Sequence, residues 1–212
     1  MEEKKTGEVS EDTIFRALRK QLLATPYSAP LHYNLGLAYA RRGQLDESIT
    51  AFQQAIVFDP KMVEAYINLG GIFLRKGNVD ACIAANKKAL EINPSHPLAH
   101  SNLGFALIQN GQVDEGMLEY EKALEIDPNQ AAVRANLGGV YFQKGDFEAA
   151  IRENLKALEL NPTFALAHNN LLHAYRAMGD KEAAKAHCEK ALELGFQVNP
   201  ELAEELGCDS RE

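Results

Sequence analysis

The chain of 212 residues contains no tryptophan, only three cysteines, and no apolar run approaching the roughly 20 residues that cross a bilayer. The missing run argues against direct membrane insertion. Cys82, Cys188 and Cys208 are an odd set, far apart and without C-x-x-C spacing. Neither a disulfide framework nor a zinc site is suggested, and free thiols in a reducing compartment are expected. Basic charge is also scarce: 22 Lys and Arg stand against 30 Asp and Glu, a net charge of -8. Phosphate binding needs clustered Lys and Arg, so neither nucleic acid nor an anionic membrane is the expected main partner. The opening residues Met1, Glu2, Glu3, Lys4 and Lys5 carry no apolar core of the kind a secretory signal needs, which makes the cytoplasm the expected compartment. Phosphate-cradling glycine motifs and the G-x-S-x-G nucleophile turn are absent, and Leu69-Gly70-Gly71 falls inside a helical pattern where it cannot cradle phosphate.

What the chain does have is a period. Prolines recur at Pro60, Pro94, Pro128 and Pro162, each 34 residues after the last. Glycines recur in the same step at Gly43, Gly77, Gly111, Gly145 and Gly179. Leu35, Leu69, Leu103, Leu137 and Leu171 keep that register, as do Ala55, Ala89, Ala123, Ala157 and Ala191. A fixed period of this length means stacked supersecondary units. Each unit reads as two short helices, split by a glycine turn and stopped by Asp-Pro or Asn-Pro, because proline lacks the amide and clashes with the preceding turn. Leu35, Gly36 and Tyr39 share one face of the first helix, and the small Gly lets the second helix approach. One hairpin cannot bury such a stripe alone, so neighbours must stack.

These Leu-Gly, aromatic, Gly, Ala and Pro columns in a 34-residue frame resemble the tetratricopeptide repeat family. The resemblance implies an all-α, right-handed superhelical solenoid of antiparallel helix pairs, its first helices lining a concave groove. Five units are expected at 29–62, 63–96, 97–130, 131–164 and 165–198, starting near Ala29, Val63, Pro97, Ala131 and Ala165. The fifth departs from the pattern, with Leu172 in place of Gly and Gly195-Phe196 in place of the terminal Pro. A capping helix is expected over 10–28, with Ser10 as N-cap and Ile14, Phe15, Leu18, Leu22 and Leu23 at helical spacing. Asn199 and Pro200 open a second cap over 199–207. Segments 1–9 and 208–212 are expected to be a mobile start and a tail.

Opposite the core stripe, the first helices carry an unbroken column of amides: Asn34, Asn68, Asn102, Asn136 and Asn170. An amide side chain offers a donor and an acceptor together, which matches one peptide unit of an extended strand. The column resembles the asparagine ladder of the O-linked N-acetylglucosamine transferase repeat domain, which implies a grip on peptide main chain. A second reading stays open, in which these amides bond to an adjacent helix. Beside the column lie Tyr33, Ile67, Leu37 and Phe105, and beyond them Leu74, Ile108 and Phe142. Apolar residues gathered in a groove mark a binding surface. Arg41 and Arg75 make one groove edge basic, so the expected ligand is an extended segment with apolar side chains and an acidic group near them.

The lysines with which co-chaperone members of the family clamp a terminal carboxylate have no counterpart: their places hold Pro30, Glu64, Leu98, Ala132 and Leu166, or Tyr33, Ile67, Ser101, Ala135 and Asn169. His32, His100 and His168 share a column but sit two units apart, too far to share a metal, and are read as core or helix-start residues. The second-helix column holding Phe52 and Tyr120 carries Asn86, Asn154 and Cys188 elsewhere, where looser packing or amide bonds to a neighbouring turn are expected. No catalytic residue, cofactor or metal is called for. The expected function is a protein-interaction scaffold or adaptor binding an extended peptide. The alternatives are a self-assembling structural protein, for which a homo-oligomer is compatible, and a substrate-recruiting subunit of a separate enzyme or chaperone system.

Overall fold

A computed structural model describes residues 11–208. Ser10, expected as a cap, the segment 1–9 and the last residues of the expected tail lie outside the described residues. Among the described residues the fold is all-α, with twelve helices and no strand. The fold class is that of helical-repeat solenoids, and the chain divides into two compact units, Met1–Ala106 and Leu107–Glu212.

The first unit holds α1 (Glu11–Ala24), α2 (Ala29–Arg41), α3 (Leu45–Phe58), α4 (Val63–Arg75), α5 (Val79–Ile92) and most of α6 (Pro97–Gln109). Gly43 turns α2 into α3 at a φ of +74°, a left-handed value that favours glycine. Inside that hairpin Phe52 is fully buried and packs with Leu69 and Ile72. Burying one such side chain stabilises by about 1.5–3 kcal/mol. Gly36 makes the packing possible, since a Cβ there would lie 2.7 Å from the Phe52 ring. Buried Ser48 then donates to the Gly36 carbonyl at 2.8 Å. Helix α1 packs on α2 through Phe15, whose ring meets Tyr39 edge-on at 5.1 Å. Arg42 lies over Phe15 at 4.5 Å and pairs with Asp12 at 2.7 Å.

The second unit holds the end of α6, then α7 (Val113–Ile126), α8 (Ala131–Gln143), α9 (Phe147–Leu160), α10 (Ala165–Ala177), α11 (Lys181–Glu193) and α12 (Pro200–Leu206). Asp146 and Asp180 cap α9 and α11 by accepting from the amides of Ala149 and Ala183. Asn199 caps α12 in the same way. At the end of this unit Leu172 is fully buried against Ala184, Cys188, Leu202 and Leu206, so the Gly-to-Leu change in the fifth repeat fills the space under α12.

The expectation of three free thiols is corrected here. Cys188 and Cys208 form a disulfide with a Cα separation of 6.1 Å, and Cys82 alone is free. Folding back of α12 carries Cys208 to α11, a proximity that their separation of 20 residues does not announce.

The histidine column has a structural role that repeats. Nε2 of His32, His100 and His168 bonds the carbonyls of Pro26, Pro94 and Pro162, at 2.8, 2.8 and 3.2 Å. In the same column Arg134 donates Nε to the Pro128 carbonyl at 3.1 Å. Each ring or guanidinium ties the start of one helix to the turn before it.

Candidate peptide-binding surface

The first helices of the hairpins position the expected site. In the first unit, α2 presents Asn34 and Arg41 exposed, and Tyr33 and Leu37 half-buried. Helix α4 presents Asn68 and Leu74 half-buried and Arg75 exposed, and α6 adds half-buried Asn102 and Phe105. Ile67 lies elsewhere: it is 4% exposed and packs against Ala89 and Ala99, so its side chain belongs to the core. In the second unit Asn136 and Phe142 on α8, Asn170 on α10 and Ile108 are half-buried.

The amides do not form a uniform set. Asn68 donates Nδ2 to the Tyr33 hydroxyl at 3.1 Å and to the Glu64 carbonyl at 2.8 Å. Asn136 hydrogen-bonds the buried Tyr120 phenol. Asn170 donates to the Ala135 carbonyl at 2.9 Å and to Asn154 Oδ1 at 3.0 Å. These three amides therefore serve the fold, joining each first helix to the hairpin before it. The Oδ1 atoms of Asn68 and Asn170 accept from no group among the described residues and are not buried. Each of these two amides keeps only an acceptor uncommitted, where the residue type alone suggested donor and acceptor together.

Burial shows in the ionisation of these groups. Desolvation pushes the Tyr33 phenol up and the Glu64 charge adds to it, while the Asn68 bond works the other way. Tyr120 is raised strongly by burial, with Asn136 again opposing. His173, beside Phe142 at 6.1 Å, is held below the usual imidazole range by burial and then by Arg176. Arg75 donates to the Ala40 carbonyl at 3.4 Å, whereas Arg41 lines a small cavity with Ile14 and Phe15 and pairs with no acid among the described residues.

The buried second-helix amides settle the other open reading. Asn154 donates to the Ala150 carbonyl at 2.7 Å, one turn back in its own helix, and accepts from Asn170. Asn86 donates to the Cys82 carbonyl at 2.9 Å, but its buried Oδ1 has no partner. Both donate to their own helix, Asn154 accepts from the next first helix, and the expected neighbouring turn plays no part. Nearby, Glu153 receives Arg134 at 2.9 Å and Lys156 at 2.8 Å. Burial alone would push this carboxyl up; the two cations outweigh it and hold it below the usual carboxylate range. Sequence reasoning missed this cluster, whose signal is one glutamate with basic residues on both sides of the hairpin. Among the described residues no group of His, Cys, Asp and Glu is arranged to hold a metal. No helix there is long and apolar enough to cross a membrane.

Stacked hairpins with half-buried apolar residues on their first helices define a helical-repeat scaffold for protein–protein interaction. The chain belongs to the tetratricopeptide repeat family: models described as TPR repeat match residues 36–77, 70–111, 106–145 and 138–179, and a tetratricopeptide repeat model matches 165–194. No curated protein matches the chain. Among solved structures it is similar to MamA 41-end from Desulfovibrio magneticus RS-1, at 23% identity and a TM-score of 0.70, over 79% of this chain and 94% of that one. It is also similar to YrrB, described as a TPR protein with an unusual peptide-binding site, at 20% identity, a TM-score of 0.70 and 90% and 97% coverage. PilW, a type IV pilus biogenesis factor, matches at 21% identity with a TM-score of 0.76 over 85% and 87%. At these identities the three likenesses speak for the fold alone.

Proposed function

We propose that this protein is a non-catalytic adaptor that holds an extended segment of another protein against its first helices. The observation that carries the reading lies in the first unit, where half-buried Leu37, Leu74 and Phe105 share the first-helix face with exposed Asn34 and the unbonded carbonyl oxygen of Asn68. Apolar side chains of a guest would be covered by the former, and its backbone amides would be met by the latter. Arg41 and Arg75, both exposed, favour an acidic group at that end of the guest. Asn136, Phe142 and Asn170 give the second unit a similar but more fully bonded face. Recruitment of substrate to a separate enzyme or chaperone would use the same surfaces.

The cytoplasmic compartment rests on composition, and the Cys188–Cys208 bond pulls against it, since such bonds persist where the surroundings are oxidising. Selection of a random peptide library on the immobilised protein tests the function. Recovered sequences are expected to converge on spaced apolar residues with an acidic residue at one end. A pool that stays random after repeated rounds would remove the peptide-binding reading.

A further inference from the structure

Two surfaces away from the proposed peptide-holding residues are opposite in charge. In the second unit a groove of about 600 Å³ opens between α9 and the start of α11. Its floor is apolar, formed by Ile151, Leu155, Tyr175 and Met178, with Leu155 39% and Met178 49% exposed. A column of ion pairs is interrupted here. Asp12 pairs with Arg42, Asp46 with Lys76 and Asp114 with Lys144, each acid 30 residues before its base. In that register Glu148 has Met178 in the place of a base, as Asp80 has Asn110, so neither position carries the clasp. Glu148 and Glu159, both lining the groove, have no ion-pair partner among the described residues. Arg152 and Lys156 also line it, but both are drawn to Glu153, at 3.6 and 2.8 Å. Asp180 lines it too, so three acids stand against two bases and the lining is acidic by one charge.

The matching surface is on α1. Arg16, Arg19, Lys20 and Leu23 fall at positions i, i+3, i+4 and i+7, which places them on one helix face. All four are exposed, Leu23 at 87%, and the three cations have no acidic partner among the described residues. The half-buried stripe of α1, with Phe15, Leu18 and Leu22, is turned to its own hairpin, so this second face has nothing to cover it among the described residues of its unit.

We infer that the α9–α11 groove receives the basic, leucine-tipped face of α1 from a second copy of this chain. Leu23 enters the groove beside Leu155 and Met178, and the cations meet Glu148 and Glu159. Because donor face and groove are different surfaces, the contact is head-to-tail, and each copy keeps one free face for the next. The contact uses none of the residues proposed to hold a peptide, so its failure leaves that proposal standing.

The test is the mass in solution, by light scattering on size exclusion, of wild type and of two variants altered at exposed positions, Leu23→Glu and Met178→Glu. Wild type is expected to grow in mass with concentration, more so at low salt, because exposed charge pairs are screened. Each variant alone stays monomeric. Mixed one to one they form a dimer and nothing larger, because one supplies an intact groove and the other an intact α1. A second pair, Glu148→Lys with Glu159→Lys in one chain and Arg16→Glu, Arg19→Glu and Lys20→Glu in another, is expected to bind each other with charges reversed. Wild type that remains monomeric at every concentration overturns the inference and leaves the groove to a different partner. Variants that associate as wild type does, or mixtures that yield no dimer, overturn it equally.

Discussion

Asn170 donates a hydrogen bond to Asn154 across 3.0 Å, from the first helix of the fifth repeat to the second helix of the fourth. Asn154 is wholly buried. Truncating Asn170 would strand its carbonyl oxygen, and an unsatisfied buried acceptor costs about 1–3 kcal/mol. Asn170→Ala is therefore expected to lower unfolding stability by that amount in urea. Asn34→Ala, in the same column but exposed, should stay within about 0.5 kcal/mol of wild type. Equal losses at both positions would contradict a division of labour within the column.

Gly36 on α2 faces Phe52 on α3 in the first hairpin. Its missing Cβ leaves room for the Phe52 ring, 2.7 Å from where that atom would sit. Gly36→Ala should destabilise by about 1–3 kcal/mol through overpacking. Adding Phe52→Leu should return part of the loss, a coupling that a double-mutant cycle measures directly.

His168 and His187 meet through their Nδ1 atoms. The Pro162 carbonyl can only accept, so His168 carries its proton on Nε2 and accepts at Nδ1 from the Nδ1–H of His187, 2.9 Å away. Burial first, then His168, brings the His187 pKa down to about 4. A histidine with a depressed folded pKa favours the native state above its unfolded pKa, near 6.5, and that contribution is lost as pH falls toward about 4. Thermal stability is expected to fall over this window, and His187→Asn, which keeps a donor near Nδ1, should flatten part of the slope. Parallel pH profiles for the two proteins would refute the assignment.

The Cys188–Cys208 bond clips α12 to the end of the second unit. Closing a loop of 20 residues restricts the unfolded chain by about 3 kcal/mol. Cys208→Ser should lose roughly that stability. Thiol titration of wild type in denaturant without reductant should find one thiol per chain, from Cys82. Three thiols would show that the bond does not form.

The repeat frame is open to reading from the sequence because the turn glycines and the Asp-Pro or Asn-Pro stops act locally, and a column of them keeps the register. Contacts between elements were less legible. The Asn68 column announces a helix face, but not that its amide reaches Tyr33, 35 residues earlier. Ile67 illustrates the same limit, since a small rotation of the helix separates a lining residue from a core one. Cys208 gave no signal, because only the fold of α12 brings it to Cys188.

The most direct measurement is the affinity of a library-selected, fluorescently labelled peptide for wild type and for Asn34→Ala, Arg41→Glu with Arg75→Glu, and Leu37→Ala with Leu74→Ala. Each variant is expected to weaken binding by about tenfold or more, equivalent to ~1.4 kcal/mol, with the arginine reversal acting only on peptides that carry an acidic residue. A dissociation constant unchanged across all three variants would contradict the peptide-holding role of the first-helix face.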